Sequence, residues 1–208
     1  MKEQLNRTAD ATFRWLDAEA NKPKRRETLT HRQERSLSTV PSMPSAASKS
    51  SRVSFSSLTE NNLGTVRKLN SVLFPIRYSE KFYQDILKPE VEEFCKLVYY
   101  NDIPVGTICC RLENKDDQEQ LYLMTMGVLA PYRSREVGSK ALESVLEAAA
   151  MHSPKIQKIY LHVQVSNEDA KRFYERHGFT EVGIHKDYYK KISPPDAWVL
   201  EKRVTAES

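Results

Sequence analysis

The order of strand-like and helix-like segments after Val53 is the feature of this sequence that most constrains its fold. One strand pattern, two helix patterns and three strand patterns come first, and helix, strand, helix and further strands follow. Alternation of this kind is typical of an α/β domain on a mixed sheet, in which a crevice opens at the ends of strands. We therefore predict one α/β domain over residues 53–204, with a mixed central sheet flanked by helices.

Local signals indicate where several elements begin or end. Thr59 comes before an amphipathic run and is the predicted N-cap residue of the first helix. The pair Asn101-Asp102 separates two runs of β-type residues and predicts a turn between strands. A helical pattern starts at about Val137, and Gly178 follows another one at the position where glycine often ends a helix.

Residues 1–52 have the composition of an extension outside this domain. They carry 11 Lys and Arg against 6 Asp and Glu, whereas the remainder carries 21 against 22. Residues 20–52 hold almost no large apolar side chains, so they cannot bury enough surface to offset their ordering entropy. We predict a mostly disordered basic extension, in which residues 5–20 form either a partner-binding helix or a marginal one. Its run KPKRR is a nuclear signal, a contact for ribosomal RNA or a solvated patch.

Composition also argues against membrane, secreted and metal-binding proteins. No apolar run approaches the ~18 residues of a membrane span, and the first residues lack the apolar core of a secretory signal. Cys95, Cys109 and Cys110 have no metal-ligand spacing and are interpreted as reduced thiols. We expect a cytoplasmic protein, with the nucleus as a second compartment, that has no metal and no membrane partner.

The stretch APYRSREVGSKAL, residues 130–142, has the pattern of an anion-binding loop. An apolar strand leads into it and a helix follows, so the unpaired N–H groups of the first helical turn would face the loop. Arg133 and Arg135 can add charge-assisted hydrogen bonds to an anion. From these residues alone, a plain strand-to-helix turn remains an alternative.

A second segment, YLHVQVSNEDAKRFYERHGF, has Asn167 after a buried strand, then a helix with Tyr174 and Gly178 at its exit. Together with the loop it resembles the GNAT acetyltransferase superfamily. The segments LNSVLFPIRYSEKFY, GTICCRLE, LYLMTMGVLAPYR and KDYYKKISPPDAWVL narrow the resemblance to the N-alpha-acetyltransferase 50 family, the NatE subunit. It spans residues 53–202 and implies an acetyltransferase of the GNAT fold that uses acetyl-CoA as co-substrate.

The resemblance implies where acetyl-CoA would bind. The first loop would cradle the diphosphate, and the segment from Asn167 to Tyr174 would hold the pantetheine arm, with Tyr174 near the CoA sulfur. By this similarity the cofactor-binding residues are Met124, Gly127, Val128, Arg133, Ser134, Val137, Gly138, Ser139, Asn167 and Tyr174.

The resemblance also assigns Tyr122 and His162 as the catalytic base, acting through an ordered water. An N-terminal amine, with an ordinary pKa of about 7.7–8.0, must lose a proton before it attacks a thioester. Histidine suits this role because the ordinary pKa of imidazole lies near neutral pH. Without the resemblance, His162 would be interpreted as a core histidine and Tyr122 as part of the sheet core.

Aromatic residues on two loops are implied to form the peptide groove. By resemblance this groove takes a nascent N-terminus that starts with Met and continues with an apolar residue. Its residues would be Phe74, Pro75, Ile76, Tyr78, Tyr188 and Tyr189. The paired tyrosines would otherwise simply pack a hairpin.

The sequence departs from the family at one position of the first loop. The family pattern is Arg-x-x-Gly-x-Gly, and Glu136 stands where the first glycine is expected. A side chain there opposes close backbone approach or a positive φ, and a carboxylate opposes bound phosphate. The carboxylate could instead turn outward and pair with Arg133 or Lys140, or the loop could shift so that Arg135 to Gly138 supplies the Arg-x-x-Gly pattern.

Glu136 leaves two functional hypotheses open. The first is an active N-terminal acetyltransferase of the NatE type with weakened cofactor affinity. The second is a catalytically weak or inactive GNAT-fold subunit that binds and regulates NatA. In both, the implied partners are the nascent polypeptide N-terminus, the catalytic and auxiliary subunits of NatA, and the ribosome, which is reached indirectly or through the basic extension.

Overall fold

A seven-stranded mixed sheet forms the centre of the domain in a computed structural model that describes residues 52–115 and 117–204. The strands are β1 (Val53–Ser57), β2 (Lys96–Tyr100), β3 (Ile103–Lys115), β4 (Gln118–Val128), β5 (Ile156–Gln164), β6 (Thr180–His185) and β7 (Ala197–Arg203). Their order in the sheet is β1-β2-β3-β4-β5-β7-β6, with β4 and β5 parallel and the other neighbours antiparallel. The predicted mixed sheet is thus confirmed, while the proposed extension and its helix over 5–20 lie outside the described residues.

In the part of the chain that the structure describes, four α-helices accompany the sheet: α1 (Leu63–Leu73), α2 (Glu80–Asp85), α3 (Val137–Met151) and α4 (Glu168–Arg176). Short 3₁₀ turns lie at Pro89–Val91 and Ala130–Tyr132. The helix α3 buries one face, on which Val137, Ala141 and Val145 recur at helical spacing. Among the described residues, no helix is long and apolar enough to cross a membrane.

Local chemistry explains the predicted element ends and one wrong prediction. Asn101 and Asp102 have φ of 49° and 65°, the left-handed pair that a tight hairpin turn requires, and Gly178 ends α4 with φ of 82°. Thr59 is not the N-cap of α1, which is Asn62. The Asn62 side chain accepts a hydrogen bond from the Thr59 N–H at 2.9 Å, so a turn separates Thr59 from the helix.

The strands β4 and β5 separate partway along their length, and this positions the candidate site. Their pairing runs from Glu119 beside Ile156 to Tyr122 beside Tyr160, whereas β4 continues to Val128. A β-bulge in the β3–β4 ladder leaves Met124 as an extra residue just beyond this point. Bulges bend a strand and redirect its side chains. This separation, beyond Tyr122 and Tyr160, is where the crevice predicted from the order of elements would lie.

Candidate active site

Tyr122 and His162 meet where β4 and β5 separate. The Tyr122 hydroxyl lies 3.2 Å from His162 Nδ1 and 2.5 Å from the Tyr188 hydroxyl. Tyr188 lies in the loop between β6 and β7 and stacks flat on His162, with ring centroids 4.1 Å apart and planes 6° apart. The fold thus joins both predicted catalytic residues with one of the predicted peptide-groove tyrosines.

His162 is held in its neutral form. His162 is only 8% exposed, and this burial, assisted by the neighbouring His185 and partly opposed by Glu113, lowers its pKa to about 4. The expectation that its pKa lies near neutral pH is therefore wrong, because water that would solvate an imidazolium is excluded. At neutral pH one ring nitrogen carries a hydrogen and the other can accept one.

Three residues that the sequence did not single out surround Tyr122. Tyr160 stacks on it with centroids 4.7 Å apart and donates its hydroxyl to the Glu113 carboxylate. Arg111 donates its Nε to the same carboxylate at 2.9 Å, and its guanidinium lies 5.2 Å from the centre of the Tyr122 ring. Arg111, Tyr122 and Tyr160 are direct neighbours across β3, β4 and β5, so a correct strand register would have found them.

His185, at the end of β6, also belongs to this cluster. Its Nδ1 lies 3.3 Å from His162 Nε2, and its ring is 5.1 Å from that of Tyr188. In contrast to His162 it is exposed. No motif in the sequence pointed to a functional role for His185. Among residues 52–115 and 117–204, no group of three or more His, Cys, Asp or Glu is placed to hold a metal ion.

A cleft of ≈ 270 Å³ lies at the start of α3. It is lined by Val128, Arg133, Ser134, Glu136, Val137, Gly138, Ser139, Phe173 and Arg176. Six of the residues predicted to bind cofactor are in this set: Val128 ends β4, and the other five lie in the loop and the first turn of α3. Arg176 was missed, although it lies one helical turn beyond Phe173 on α4. Arg135 lies elsewhere, because it donates to the Tyr100 hydroxyl at 3.3 Å.

Glu136 adopts the left-handed conformation that its position requires. Its φ is 60° and its ψ is 3°, and it stands immediately before α3 as the N-cap residue. The side chain is exposed and makes no capping hydrogen bond to the described first turn. Ser134 also has a left-handed φ, of 57°. The left-handed geometry falls on Glu136 itself, which favours the unshifted loop and explains why glycine would suit this position.

The remaining predicted cofactor residues are not among those that line the cleft. Asn167 caps α4, where its side-chain oxygen accepts from the Ala170 N–H at 3.2 Å. Tyr174 is fully buried, its hydroxyl 3.8 Å from Met126 Sδ, and burial raises its pKa. The Met124 sulfur lies 3.9 Å from an Arg111 nitrogen. Asn167 and Tyr174 therefore also stabilise the fold, Asn167 as a helix cap and Tyr174 as a core residue.

The predicted peptide-groove residues lie on two loops. Phe74 and Tyr78 are in the α1–α2 loop with rings edge to face at 5.9 Å. A Cβ added to Gly127 would lie 3.1 Å from the Phe74 ring, so glycine permits this close packing against β4. Pro75 is exposed and Ile76 half-buried, whereas Tyr189 is buried and its N–H donates to the Pro195 carbonyl at 2.8 Å. Tyr188 forms a hydrogen bond with Tyr122 of the catalytic pair.

Comparison with known proteins identifies relatives of this chain. The sequence model of the acetyltransferase (GNAT) family matches residues 63–179. The chain is 46% identical over 151 residues to N-alpha-acetyltransferase 50 of Danio rerio, covering 73% of this chain and 88% of that protein. It is 43% identical over 152 residues to the probable N-acetyltransferase san of Drosophila melanogaster, covering 73% and 81% of the two chains.

A solved structure is similar over the same region. Arabidopsis thaliana Naa50, in complex with the bisubstrate analogue CoA-Ac-MVNAL, superimposes with a TM-score of 0.66 at 45% identity. The match covers 72% of this chain and 97% of that chain. The resemblance inferred from the sequence motifs is thereby confirmed.

Proposed function

The chain belongs to the acetyltransferase (GNAT) family, and from this premise we propose that it acetylates the N-terminal α-amine of polypeptides that begin with Met and an apolar residue. As a member of that family it is an acetyl-CoA-dependent acetyltransferase. The hydrogen-bonded pair of Tyr122 and neutral His162, at the separation of β4 and β5, carries the proposal. A group that removes a proton from an amine must itself be unprotonated, and burial keeps His162 in that state.

The side chains support one route for the proton. The Tyr122 hydroxyl can donate to His162 Nδ1 while it accepts a proton, through an ordered water, from the amine. Stacking of Tyr188 on His162 and of Tyr160 on Tyr122 holds both rings in place. The proton that reaches His162 then passes to solvent, because burial disfavours the imidazolium, and this release restores the neutral pair after each turnover.

The cleft at the start of α3 fits the phosphates of acetyl-CoA, which supplies the acetyl group as a thioester. Its donors are the guanidinium groups of Arg133 and Arg176 and the N–H groups of the first turn, from Val137 to Ser139. Helix N-termini and arginine are common phosphate ligands. Met124, Gly127 and Val128 follow Tyr122 on β4 and connect this cleft to the catalytic pair.

The two aromatic loops favour an apolar N-terminal peptide. Tyr188 stacks on His162, whereas Phe74 contacts Tyr78 and lies close to Gly127 farther along β4, and aromatic walls of this kind suit the flexible thioether of Met. The relative from Arabidopsis thaliana was solved with an analogue that carries the sequence MVNAL, which begins with Met and Val. This supports the same preference in the present chain.

Glu136 favours a second candidate function, that of a weakly active or inactive subunit that regulates NatA. Glu136 lines the cleft that would hold phosphates, so its negative charge opposes their binding. Two measurements with the full chain decide between the candidates: acetyl-CoA binding by calorimetry, and acetylation of a Met-Leu peptide. We expect micromolar binding and turnover. Matched peptides with a blocked N-terminus, or with an internal lysine as the sole amine, should not react. Reaction at lysine alone would contradict the proposal.

We expect Glu136→Gly to bind acetyl-CoA about tenfold more tightly than wild type, because a like charge leaves the phosphate cleft. The strained φ exists before any ligand binds and costs about 1 kcal/mol of folding stability, so relieving it changes stability more than affinity. Calorimetric titration of the wild type and both variants, Glu136→Gly and Glu136→Gln, checks this prediction.

Glu136→Gln is the matched control, since it removes the charge and keeps the side chain. Most of the gain in affinity for acetyl-CoA should appear in Glu136→Gln. This gain should shrink in high salt, where exposed charges are screened. A gain in Glu136→Gly alone would mean that the side chain blocks the backbone rather than repelling the ligand. Binding that appears in Glu136→Gly and is absent from wild type would favour the regulatory candidate.

We further propose that the protein works in the cytoplasm, and also in the nucleus, beside the catalytic and auxiliary subunits of NatA. The nascent N-terminus is its substrate, and the ribosome is reached through NatA or through the basic residues 1–52. Affinity purification of the full chain and of a chain lacking residues 1–52 tests the two routes. Equal recovery of ribosomes with both chains would contradict a role for the extension.

A further inference from the structure

His185 completes the hydrogen bonding of His162. One nitrogen of His162, Nδ1, lies 3.2 Å from the Tyr122 hydroxyl, and the other, Nε2, lies 3.3 Å from His185 Nδ1. His162 is nearly buried, whereas His185 is exposed at the end of the edge strand β6. Both nitrogens of the candidate base therefore have a defined neighbour, one toward the substrate side and one toward solvent.

The two possible tautomers of neutral His162 differ in what they offer Tyr122. With the hydrogen on Nε2, the lone pair of Nδ1 can accept the Tyr122 hydroxyl. With the hydrogen on Nδ1, that nitrogen is a donor and cannot take a proton. The hydrogen bond made by one ring nitrogen sets the state of the other. The identity of the partner at Nε2 therefore decides whether His162 can act as a base.

We propose that His185 is a positioning residue that accepts a hydrogen bond from His162 Nε2–H and so keeps His162 Nδ1 free to accept from Tyr122. This inference rests on the proposed function of the Tyr122–His162 pair. Hydrogen bonds then run in one direction, from Tyr188 to Tyr122, from Tyr122 to His162 and from His162 to His185. Both rings carry their hydrogen on Nε2, the tautomer that free histidine prefers, and the exposed His185 donates its own to water.

Two variants at His185 test whether its hydrogen-bond acceptor, rather than the rest of the side chain, is what His162 requires. His185→Leu removes the acceptor, and His185→Asn places a carbonyl oxygen near the position of Nδ1. We expect His185→Leu to lower kcat for the Met-Leu peptide about fivefold with KM unchanged, as for loss of one orienting hydrogen bond. His185→Asn should stay within about twofold of wild type. Ile184→Ala, at an exposed neighbour on β6, controls for changes in the strand, and thermal melts check folding.

Nitrogen-15 NMR of the histidine rings in the full chain, without co-substrate, reads the tautomer directly. Wild type and His185→Asn should show the hydrogen of His162 on Nε2, and His185→Leu should show a mixture of tautomers. Wild-type tautomer and kcat in His185→Leu would overturn the inference, as would a His185→Asn variant as slow as His185→Leu. The NMR comparison decides the inference even if no peptide is acetylated, an outcome that would instead refute the proposed function.

Discussion

Replacing Tyr122 by Phe is expected to lower kcat for acetylation of a Met-Leu peptide about 100-fold, the contribution typical of a positioned general base. The hydroxyl is the atom that joins His162 to Tyr188, so the substitution removes the link between the amine and the base and keeps the ring stacked on Tyr160. Because the peptide is held by other groups, its KM should change little. Steady-state kinetics with saturating acetyl-CoA measures both constants.

The double variant Tyr122→Phe with His162→Ala tests whether the two residues act as one unit. Residues that act together lose activity non-additively, so the double variant should be about as slow as the slower single variant. Tyr99→Phe, which removes the same oxygen from a half-buried tyrosine on β2, is the matched control and should keep wild-type kcat. Multiplied losses in the double variant would show independent roles and contradict a shared proton route.

Features with a local cause were predictable from the sequence. The turn at Asn101-Asp102, the start of α3 at Val137 and the end of α4 at Gly178 depend on backbone conformation within a few residues. The mixed sheet followed from the order of elements. Thr59 was assigned wrongly because several residues near a helix start can take the N-cap position. Asn62 takes it, and the hydrogen bonds of its side chain with Thr59 and Ser57 hold the turn that precedes the helix.

Features that depend on contacts between distant segments were not predictable in the same way. The row of Arg111, Tyr122 and Tyr160 requires the register of three strands, and one residue of slip would face each side chain away. The contact of His185 with His162 requires β6 to lie at the far side of β7. The resemblance assigned Tyr122 and His162 as the catalytic base. The surroundings of His162 depend on its burial, which only the fold determines.

Burial of His162 is also expected to make the domain sensitive to acid. Its pKa is about 4 in the fold, below the ordinary value of 6.5 that applies to the unfolded chain. Between these values the unfolded state binds a proton at this site and the folded state does not, so stability falls as pH falls. The contribution of neutral His162 to the unfolding free energy is complete above about pH 6.5. It is lost progressively down to about pH 4, and the total loss is about 3 kcal/mol.

Urea unfolding at pH 7 and pH 5 measures this effect in wild type and in His162→Phe, whose ring can keep the stack on Tyr188. Other titrating groups are common to both proteins, so wild type should lose about 2 kcal/mol more unfolding free energy over this interval. Parallel losses would mean that His162 is protonated as readily in the fold as in water. His185→Leu should keep most of the wild-type loss, because burial is the larger cause of the lowered pKa and His185 the smaller. Exclusion of water from His162 would then have two effects. It keeps the imidazole unprotonated for catalysis, and it lowers the stability of the fold in acid.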